Sequence, residues 1–431
     1  MKLKVNDFAK IKNAEIEFDG ITVIAGENNT GKSTIGKVVF TIFNSMNDME
    51  TKIDEERERT VFQLTYRLIQ NLLADNGVGR TEMIRKSHVL ARKFAQQVFH
   101  EMKGAGHEGI YDMLSNFMKE NELEGTASAE FVQDMQEKLE ALFEVSDEII
   151  MKEVITRWYR DVFERQITPL VEKEPRSSVE LEIKGKKVHI HFLNNECDSL
   201  ETQINILYQA FYIDNPFAVD EMADRETVYS KATKEHLLEQ LCEKMESPMD
   251  GIFDKVMVKE KLKEIYSMLD KVIAGQIVEN SDGEYYLNSS EYTEPLNIKN
   301  LSAGLKSFAV VKQLLENGSL RERDILILDE PEIHLHPEWQ LLYAELIVLL
   351  QRAFNLTLVI TTHSPYFLDA IDIYTSKYGR ADKVHYYLAE NEGQMSVFHD
   401  VTNQIDLIYE KLSEPMQRLE TMRNMYCTNE G

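Results

Sequence analysis

The sequence predicts an α/β fold with a mixed sheet, interrupted by a mainly helical insertion. Three observations predict it. Ile21-Thr22-Val23-Ile24-Ala25 is a near-continuous apolar run, as a strand covered on both faces should be, and a glycine-bearing loop and a helical run to Phe43 follow it. Residues 324–328 and 356–361 are β-rich runs that bracket a helical stretch at about 338–353, which is the βαβ pattern. Between these zones, apolar residues step as helices do: Phe131, Met135, Leu139 and Leu142 share one face, and Ile150, Val154, Trp158 and Val162 another.

In chain order, residues 1–44 open with strand-like runs at 2–5, 14–18 and 21–25 and form one half of the core. Residues 45–175 are the helical insertion. Residues 176–295 are a mixed segment joining insertion to core: 178–183 and 188–192 alternate as a hairpin about Lys184-Gly185-Lys186-Lys187, residues 233–273 are helical, and 276–278 and 285–287 are strand-like. Residues 296–431 complete the core. After the βαβ unit, runs at 383–389 and 394–398 flank Asn391-Glu392-Gly393 as a hairpin, and an amphipathic helix runs from about 404 to 425. Ile408, Leu412 and Leu419 line one face of that helix, which Pro415 breaks or kinks, and burial of that face against the core is expected.

Composition bounds the function. The 431 residues are 43% hydrophobic and 28% charged, which excludes wholesale disorder and rod-like folds. Lys and Arg number 48 against 74 Asp and Glu, a net charge of −26, so the chain will not coat nucleic acid or anionic membrane indiscriminately. Any DNA contact must use a local basic patch. Residues 79–103 offer one, with Arg80, Arg85, Lys86, Arg92, Lys93 and Lys103 against Glu82 and Glu101. It reads as a nucleic-acid patch or a docking face for an acidic partner, set against the simpler reading of a solvated helix face. Cys197, Cys242 and Cys427 lie far apart with no CxxC pair, which fits a reducing, cytoplasmic setting. The N-terminus lacks the apolar core of a signal peptide and the apolar runs are too short to cross a bilayer, so no membrane partner is expected. His189 and His191 share a strand face, but without a third ligand they read as structural or solvent-facing rather than as a metal pair.

The chemistry concentrates in two places. Gly26-Glu27-Asn28-Asn29-Thr30-Gly31-Lys32-Ser33-Thr34 fits G-x-x-x-x-G-K-[ST] between a strand and a helix. Glycines let successive backbone N–H groups turn inward at phosphate oxygens, and the helix adds its positive end. Lys32 supplies a mobile cation to the β- and γ-phosphates, and Ser33 a hydroxyl to Mg²⁺. The second place is Asp324-Ile325-Leu326-Ile327-Leu328-Asp329-Glu330, a buried strand delivering two carboxylates at its C-terminal end, where ligands bind in open α/β sheets. Asp329 is the candidate to orient the metal, and Glu330 to polarise an attacking water. Leu301-Ser302-Ala303-Gly304-Leu305-Lys306-Ser307 lies upstream of it, and Thr361-Thr362-His363-Ser364-Pro365 ends the next strand. Taken singly, each is a turn or a core histidine more often than not. In this order they support one another.

These motifs resemble the ABC-type ATPases, and within them the SMC-like branch that includes overcoming-lysogenization-defect (OLD) proteins and many antiphage ATPases. The resemblance covers about 1–44 and 296–370 closely. It implies a P-loop ABC-type ATPase head. Lys32 and Ser33 then match the Walker A lysine and serine, Asp329 the Walker B aspartate, Glu330 the catalytic glutamate and His363 the switch histidine. Ser302 and Gly304 match the signature that contacts ATP on the other subunit, although Leu-Ser-Ala-Gly-Leu here replaces Leu-Ser-Gly-Gly-Gln. Gln209, before the strand-like run 211–213, is the candidate for the Q-loop glutamine. Glu332-Ile333-His334-Leu335-His336-Pro337 resembles the OLD and SMC-like form rather than a transporter. The 68 residues after His363 contain no Asp-x-Asp pair, and Asp369 and Asp372 sit among apolar neighbours, so a nuclease domain of the OLD kind is not expected here.

What the resemblance implies is a Mg²⁺-dependent ATPase that forms a homodimer, or a larger even oligomer, around ATP. The favoured reading is a sensor or scaffold of bacterial antiphage defence, with motion of the heads passed to the insertion as an arm or lid that gates a separately encoded effector such as a nuclease. The alternatives are an SMC-like ATPase of DNA repair or maintenance, and a nucleotide-gated binding module with negligible hydrolysis.

Overall fold

Strands β1 (Lys2–Phe8) and β2 (Ile11–Glu17) open the chain as an antiparallel pair. Strand β3 (Ile21–Gly26), buried along its whole length, leads through a loop into α1 (Lys32–Met46). Helices α2 (Met49–Asp75), α3 (Arg80–Ala105), α4 (Ile110–Glu120), α5 (Ala129–Glu144) and α6 (Asp147–Val162) follow. Next come β4 (Arg176–Ile183), β5 (Lys186–Leu193), β6 (Glu196–Thr202) and β7 (Ala210–Ile213), then α7 (Ala232–Cys242) and α8 (Ile252–Val272). Short strands β8 (Gln276–Glu279), β9 (Tyr285–Asn288) and β10 (Leu296–Asn297) form a small sheet. The chain ends with α9 (Ala303–Glu316), β11 (Ile325–Asp329), α10 (Pro337–Phe354), β12 (Thr357–Thr362), α11 (Pro365–Lys377), β13 (Val384–Glu392), β14 (Met395–Asp400) and α12 (Asp406–Tyr426). The computed structural model describes all residues except 76–77, 106–109, 122–128, 171–174, 224–231, 244–251 and 427–431, and all remaining side chains except those of 75, 101–105, 110–111, 129–132 and 252–261.

Eleven of the described strands form one sheet in the order β6-β5-β4-β1-β2-β14-β13-β3-β12-β11-β7. Its centre is parallel, with β3 between β13 and β12, and β11 between β12 and β7. Parallel strands carry their C-terminal ends to the same edge, so the ends of β3, β11 and β12 come together there. Both faces of this centre are covered. Leu326, Leu328, Leu358 and Ile360 pack into a cluster with Phe308, Tyr343 and Ile347 of α9 and α10. On the other face Gly36 of α1 lies so close to Ile327 and Tyr212 that a Cβ would stand 2.9 Å from the isoleucine. Each fully buried aliphatic side chain of β11 contributes about 1.5–3 kcal/mol.

The chain divides into two compact units, one of Met1–Asn47 with Arg157–Gly431 and one of Asp48–Thr156. The division differs from the expected blocks 1–44, 45–175, 176–295 and 296–431. Helix α1 runs to Met46, the boundary falls within α6, and 176–295 lies wholly in the unit that holds the sheet. The second unit is helical, with Val61, Leu68, Phe94, Val98, Leu114, Met135 and Leu139 in its core. Of the expected stripe, Met135 and Leu139 are buried and Leu142 packs against them, while the Phe131 side chain lies outside the described residues.

Other departures have local causes. Strand β6 has a polar sequence and sits at the sheet edge, where an apolar alternation is not required. The expected helix at 233–273 is two helices, α7 and α8. In α12, Ile408 is buried and Leu412 packs on the main cluster, but Leu419 is 58% exposed, so the expected burial of that face holds only for its first half. From Pro415 onward every described residue of α12 is exposed. Cys427 lies outside the described residues. Among them, no helix is long and apolar enough to cross a membrane, and no group of three or more His, Cys, Asp or Glu side chains is placed to hold a metal. His189 and His191 lie with ring centroids 4.2 Å apart on β5.

Candidate functional site

The loop between β3 and α1 is shaped by backbone constraints. Gly26 has φ 148°, and a Cβ there would stand 2.3 Å from the Ala389 carbonyl oxygen of β13, so the strand can leave the sheet here only without a side chain. Asn29 and Gly31 follow in the left-handed region. The Thr30 hydroxyl donates to the Glu27 carbonyl at 2.8 Å and ties the turn across its base. From β1–β2, the Lys10 ammonium donates to the Asn29 carbonyl at 2.5 Å. Asn28 and Asn29 are exposed at the rim, while Ser33 and Thr34 are half-buried in the first turn of α1. No side chain caps α1 and its first turn holds no acidic residue, which leaves its N–H groups and positive end open to an anion.

Lys32 is 4% exposed. Its ammonium donates to the carbonyls of Gly26 at 3.0 Å and Glu27 at 2.8 Å, and lies 3.7 Å from Glu330 Oε1. Burial pulls its pKa below the usual lysine value, opposed by the carboxylates of Glu330, Asp329 and Glu332. A buried cation resting on two carbonyls of its own loop is held where a phosphate oxygen would replace them.

Asp329 gathers the site. Its Oδ1 accepts from the Ser33 hydroxyl at 2.9 Å and from the Thr361 hydroxyl at 2.5 Å, and its Oδ2 accepts from the Tyr212 phenol at 2.6 Å. Ser33 lies 296 residues away in sequence. Burial pushes the Tyr212 hydroxyl well above its usual pKa, with the Asp329 carboxylate adding to it, so the phenol remains a donor. A serine hydroxyl beside a carboxylate is a hard-oxygen pair of the kind Mg²⁺ takes.

Glu330 holds a left-handed backbone, φ 51°, with its N–H donating to both the carbonyl and the hydroxyl oxygen of Thr361, at 3.1 and 3.0 Å. Non-glycine residues in that region concentrate at functional sites. His363 Nδ1 stands 3.5 Å from Glu330 Oε1. Behind them Glu332, 3% exposed, accepts from the Thr362 hydroxyl at 2.5 Å and the His363 N–H at 3.0 Å through Oε1, and burial pushes its pKa above the usual carboxylate range. It fixes the backbone on which His363 stands.

Thus Lys32, Ser33, Asp329, Glu330 and His363 converge in one place. Ser302 and Gly304 are built into a different surface. Ser302 caps α9, its Oγ accepting from the Leu305 N–H at 3.4 Å, and its side chain is exposed. A Cβ at Gly304 would stand 2.8 Å from the Trp339 ring. Lys306, buried one turn on, donates to Asp220 at 2.7 Å and to the Lys299 carbonyl at 3.0 Å, and lies over the Phe217 ring.

Gln209 does not belong to the site. It precedes β7, where its carbonyl accepts from the Ile325 N–H at 2.9 Å and its own N–H donates to Asp324. Both contacts lie at the N-terminal ends of β7 and β11, the edge opposite the phosphate loop. Asp214 and Asn215, which follow Ile213, stand at the edge that carries Asp329. Tyr212 and Glu332 were the residues without an assigned role in the sequence. A tyrosine inside a buried strand needs a partner for its hydroxyl, and that was the available signal for the first.

A family model described as "AAA ATPase domain" matches residues 1–368. Among solved structures, the chain is similar to an SMC head domain from Thermotoga maritima, at 11% identity over 93% of this chain and 98% of that one, with a TM-score of 0.37. It is also similar to an Smc head domain with an extended coiled coil from Pyrococcus furiosus bound to the C-terminal domain of ScpA, at 12% identity over 98% of each chain and a TM-score of 0.38. An SmcHead bound to the C-winged helix domain of ScpA gives 12% identity, 94% and 98% coverage and a TM-score of 0.40.

Proposed function

The chain belongs to the AAA ATPase domain family, and from that premise we propose that it binds and hydrolyses ATP with Mg²⁺, pairs with a second copy around the nucleotide, and gates a separately encoded effector in bacterial antiphage defence. The observation that carries the nucleotide reading is the meeting of Ser33 and Asp329 at 2.9 Å, which joins the phosphate loop to the carboxylate strand. Glu332-Ile333-His334-Leu335-His336-Pro337 resembles the OLD and SMC-like form, and the small size of the helical unit, Asp48–Thr156, favours the antiphage reading over an SMC-like ATPase with a long arm.

The residues fit the ligand. Ser33 and Asp329 would hold Mg²⁺, which would supply positive charge to offset that of the phosphates. Lys32 exchanges its two loop carbonyls for β- and γ-phosphate oxygens. The open N–H groups of α1 and the loop from Gly26 through Thr34 take the remaining phosphate charge. Glu330 polarises a water and accepts its proton, and His363 orients the terminal phosphate beside it. Ser302 and Gly304, exposed and packed on α10 respectively, suit contact with nucleotide held by a second copy. Because ATP sits between two copies, closure is linked to nucleotide occupancy by mass action.

Calorimetry with ATP and Mg²⁺ tests the first step: wild type binds and Lys32→Ala does not. Single-turnover assays test the second, Glu330→Gln being expected to lose about 10²–10⁴-fold in rate while retaining ATP and the dimer. Turnover unchanged in Glu330→Gln would establish a nucleotide-gated binding module instead. Cleavage of DNA or RNA by this chain alone would overturn the separate effector.

A further inference from the structure

Helix α2 carries no carboxylate between Glu58 and Asp75, and α3 none between Glu82 and Glu101. The structure lays these two stretches side by side. They pack through Val61, Leu68, Ile69 and Leu72 of α2 and Ala91, Phe94, Ala95 and Val98 of α3. That packing leaves Arg59 and Arg67 of α2, and Arg85, Lys86, Arg92 and Lys93 of α3, exposed. Lys86 is held by Glu82 one turn back, at 2.8 Å. Other carboxylates of this unit lie at the start of α2, from Glu50 to Glu58, on α4 at Asp112 and Glu120, along α5 at Asp134, Glu137, Glu140 and Glu144, and on α6 at Asp147, Glu148 and Glu153, with Asp48 and Asp75 at the two ends of α2. A merely solvated helix intersperses the two signs, as Asp134 and Lys138 do on α5 at 2.6 Å. On the α2–α3 pair Glu55 and Glu58 lie close before Arg59, and Glu82 lies beside Arg85 and Lys86, but Arg67, Arg92 and Lys93 have no Asp or Glu within four positions, within a chain of net charge −26.

We propose that the outer face of the α2–α3 pair binds duplex DNA through its phosphates. Only the α3 half of this surface is legible in the sequence as a basic run. Arg59 and Arg67 join it through helix pairing. Rise along a helix separates Arg59 from Arg67 by about 12 Å, and Arg85 from Arg92 by about 10 Å. Those spacings match the scale of a DNA groove, about 12 Å for the major one, so cations separated along each helix are spaced to reach phosphates on its two sides. A single strand would need open aromatic faces for its bases. Here Phe62 and Tyr66 stack on each other and close against His88, at ring distances of 5.2–6.4 Å. An acidic protein would need a buried apolar anchor, and among the described side chains of α3 the large apolar ones that are exposed are Ile84 and Val89.

The test uses the full chain without nucleotide, so it is independent of the ATPase reading. Fluorescence anisotropy on a short random-sequence duplex, between about 50 and 200 mM salt, should give a log–log slope of about −5 for six phosphate contacts. The quadruple variant Arg59→Gln, Arg67→Gln, Arg85→Gln, Arg92→Gln should bind at least about tenfold more weakly and flatten the slope by about 3–4. The four corresponding Arg→Lys changes should keep affinity and slope, since phosphate contact needs the charge alone. Wild-type affinity and slope in the glutamine variant overturn the proposal. So does tighter binding of a single strand of the same sequence, or polyglutamate competing as well as duplex.

Discussion

Tyr212 and Asp329 stand at the ends of neighbouring parallel strands, and the phenol donates to the carboxylate at 2.6 Å. Tyr212 is buried, so no water replaces it. It occupies Oδ2 and leaves Oδ1 to the two hydroxyls of Ser33 and Thr361. Tyr212→Phe keeps the ring packing and removes one hydrogen bond to a charged acceptor, worth about 1.5–3 kcal/mol. Groups that orient a metal ligand typically carry about 10–100-fold in metal affinity. Urea unfolding without nucleotide should show the stability loss, and calorimetry should show a raised Mg²⁺ requirement for ATP binding. If both match wild type, Tyr212 is packing alone.

Gly304 meets Trp339 without room for a methyl group. A Cβ at 2.8 Å from the ring must push Trp339 or tilt the start of α9, because the indole is also pinned edge-on to Phe308. Gly304→Ala should therefore shift Trp339 fluorescence, with Trp158 the one other tryptophan in the sequence. The phosphate loop is untouched, so ATP binding should persist while ATP-dependent dimerisation weakens. Light scattering with Glu330→Gln as background reads the second effect. Unchanged dimerisation would remove Gly304 from the contact between copies.

Residues whose role follows from a local backbone were legible in the sequence, and residues whose role follows from pairing were not. The turn from Gly26 to Ser33 and the apolar strand ending at Asp329 each state their geometry within a few positions, so the α/β core could be read from them. Tyr212 meets Asp329 only because β7 lies beside β11, and no local pattern states strand order. Gln209 shows the same limit in reverse. It is near the right strand but at the wrong end, since a glutamine's type says nothing of which edge of the sheet it will occupy. Arg59 and Arg67 join the basic run of α3 only through the pairing of two helices.

Asp324 precedes β11, at the end remote from Asp329. It is 3% exposed, and burial pushes its pKa up to about 6 although the N–H groups of Arg321 and Gln209 donate to it. The folded state thus holds the proton more tightly than the unfolded chain, whose aspartate titrates near 3.9. Its contribution to stability is full below about pH 4 and is lost as pH rises through about 6, a change of about 3 kcal/mol. Asp324→Asn cannot ionise, so the difference between its unfolding free energy and that of wild type should change across this window and be flat outside it. A flat difference from pH 4 to 7 would show that the carboxylate ionises as freely folded as unfolded.

Helix α12 offers a comparison within one element. Ile408 is fully buried in the main cluster, whereas Leu419, on the stripe the sequence assigned to the same face, is 58% exposed beyond Pro415. Lys411, between them, reaches Glu27 of the phosphate loop at 3.2 Å, which marks where the helix is still held to the sheet-bearing unit. That pair is partly exposed, so it adds at most about 1 kcal/mol, and apolar burial before Pro415 must hold the helix. Ile408→Ala should cost about 2–5 kcal/mol. Leu419→Ala exchanges one exposed side chain for another that favours helix, and should stay within about 0.5 kcal/mol. Equal losses at the two positions would mean that the second half of α12 is covered in solution, and Leu419 would then move from the surface to an interface.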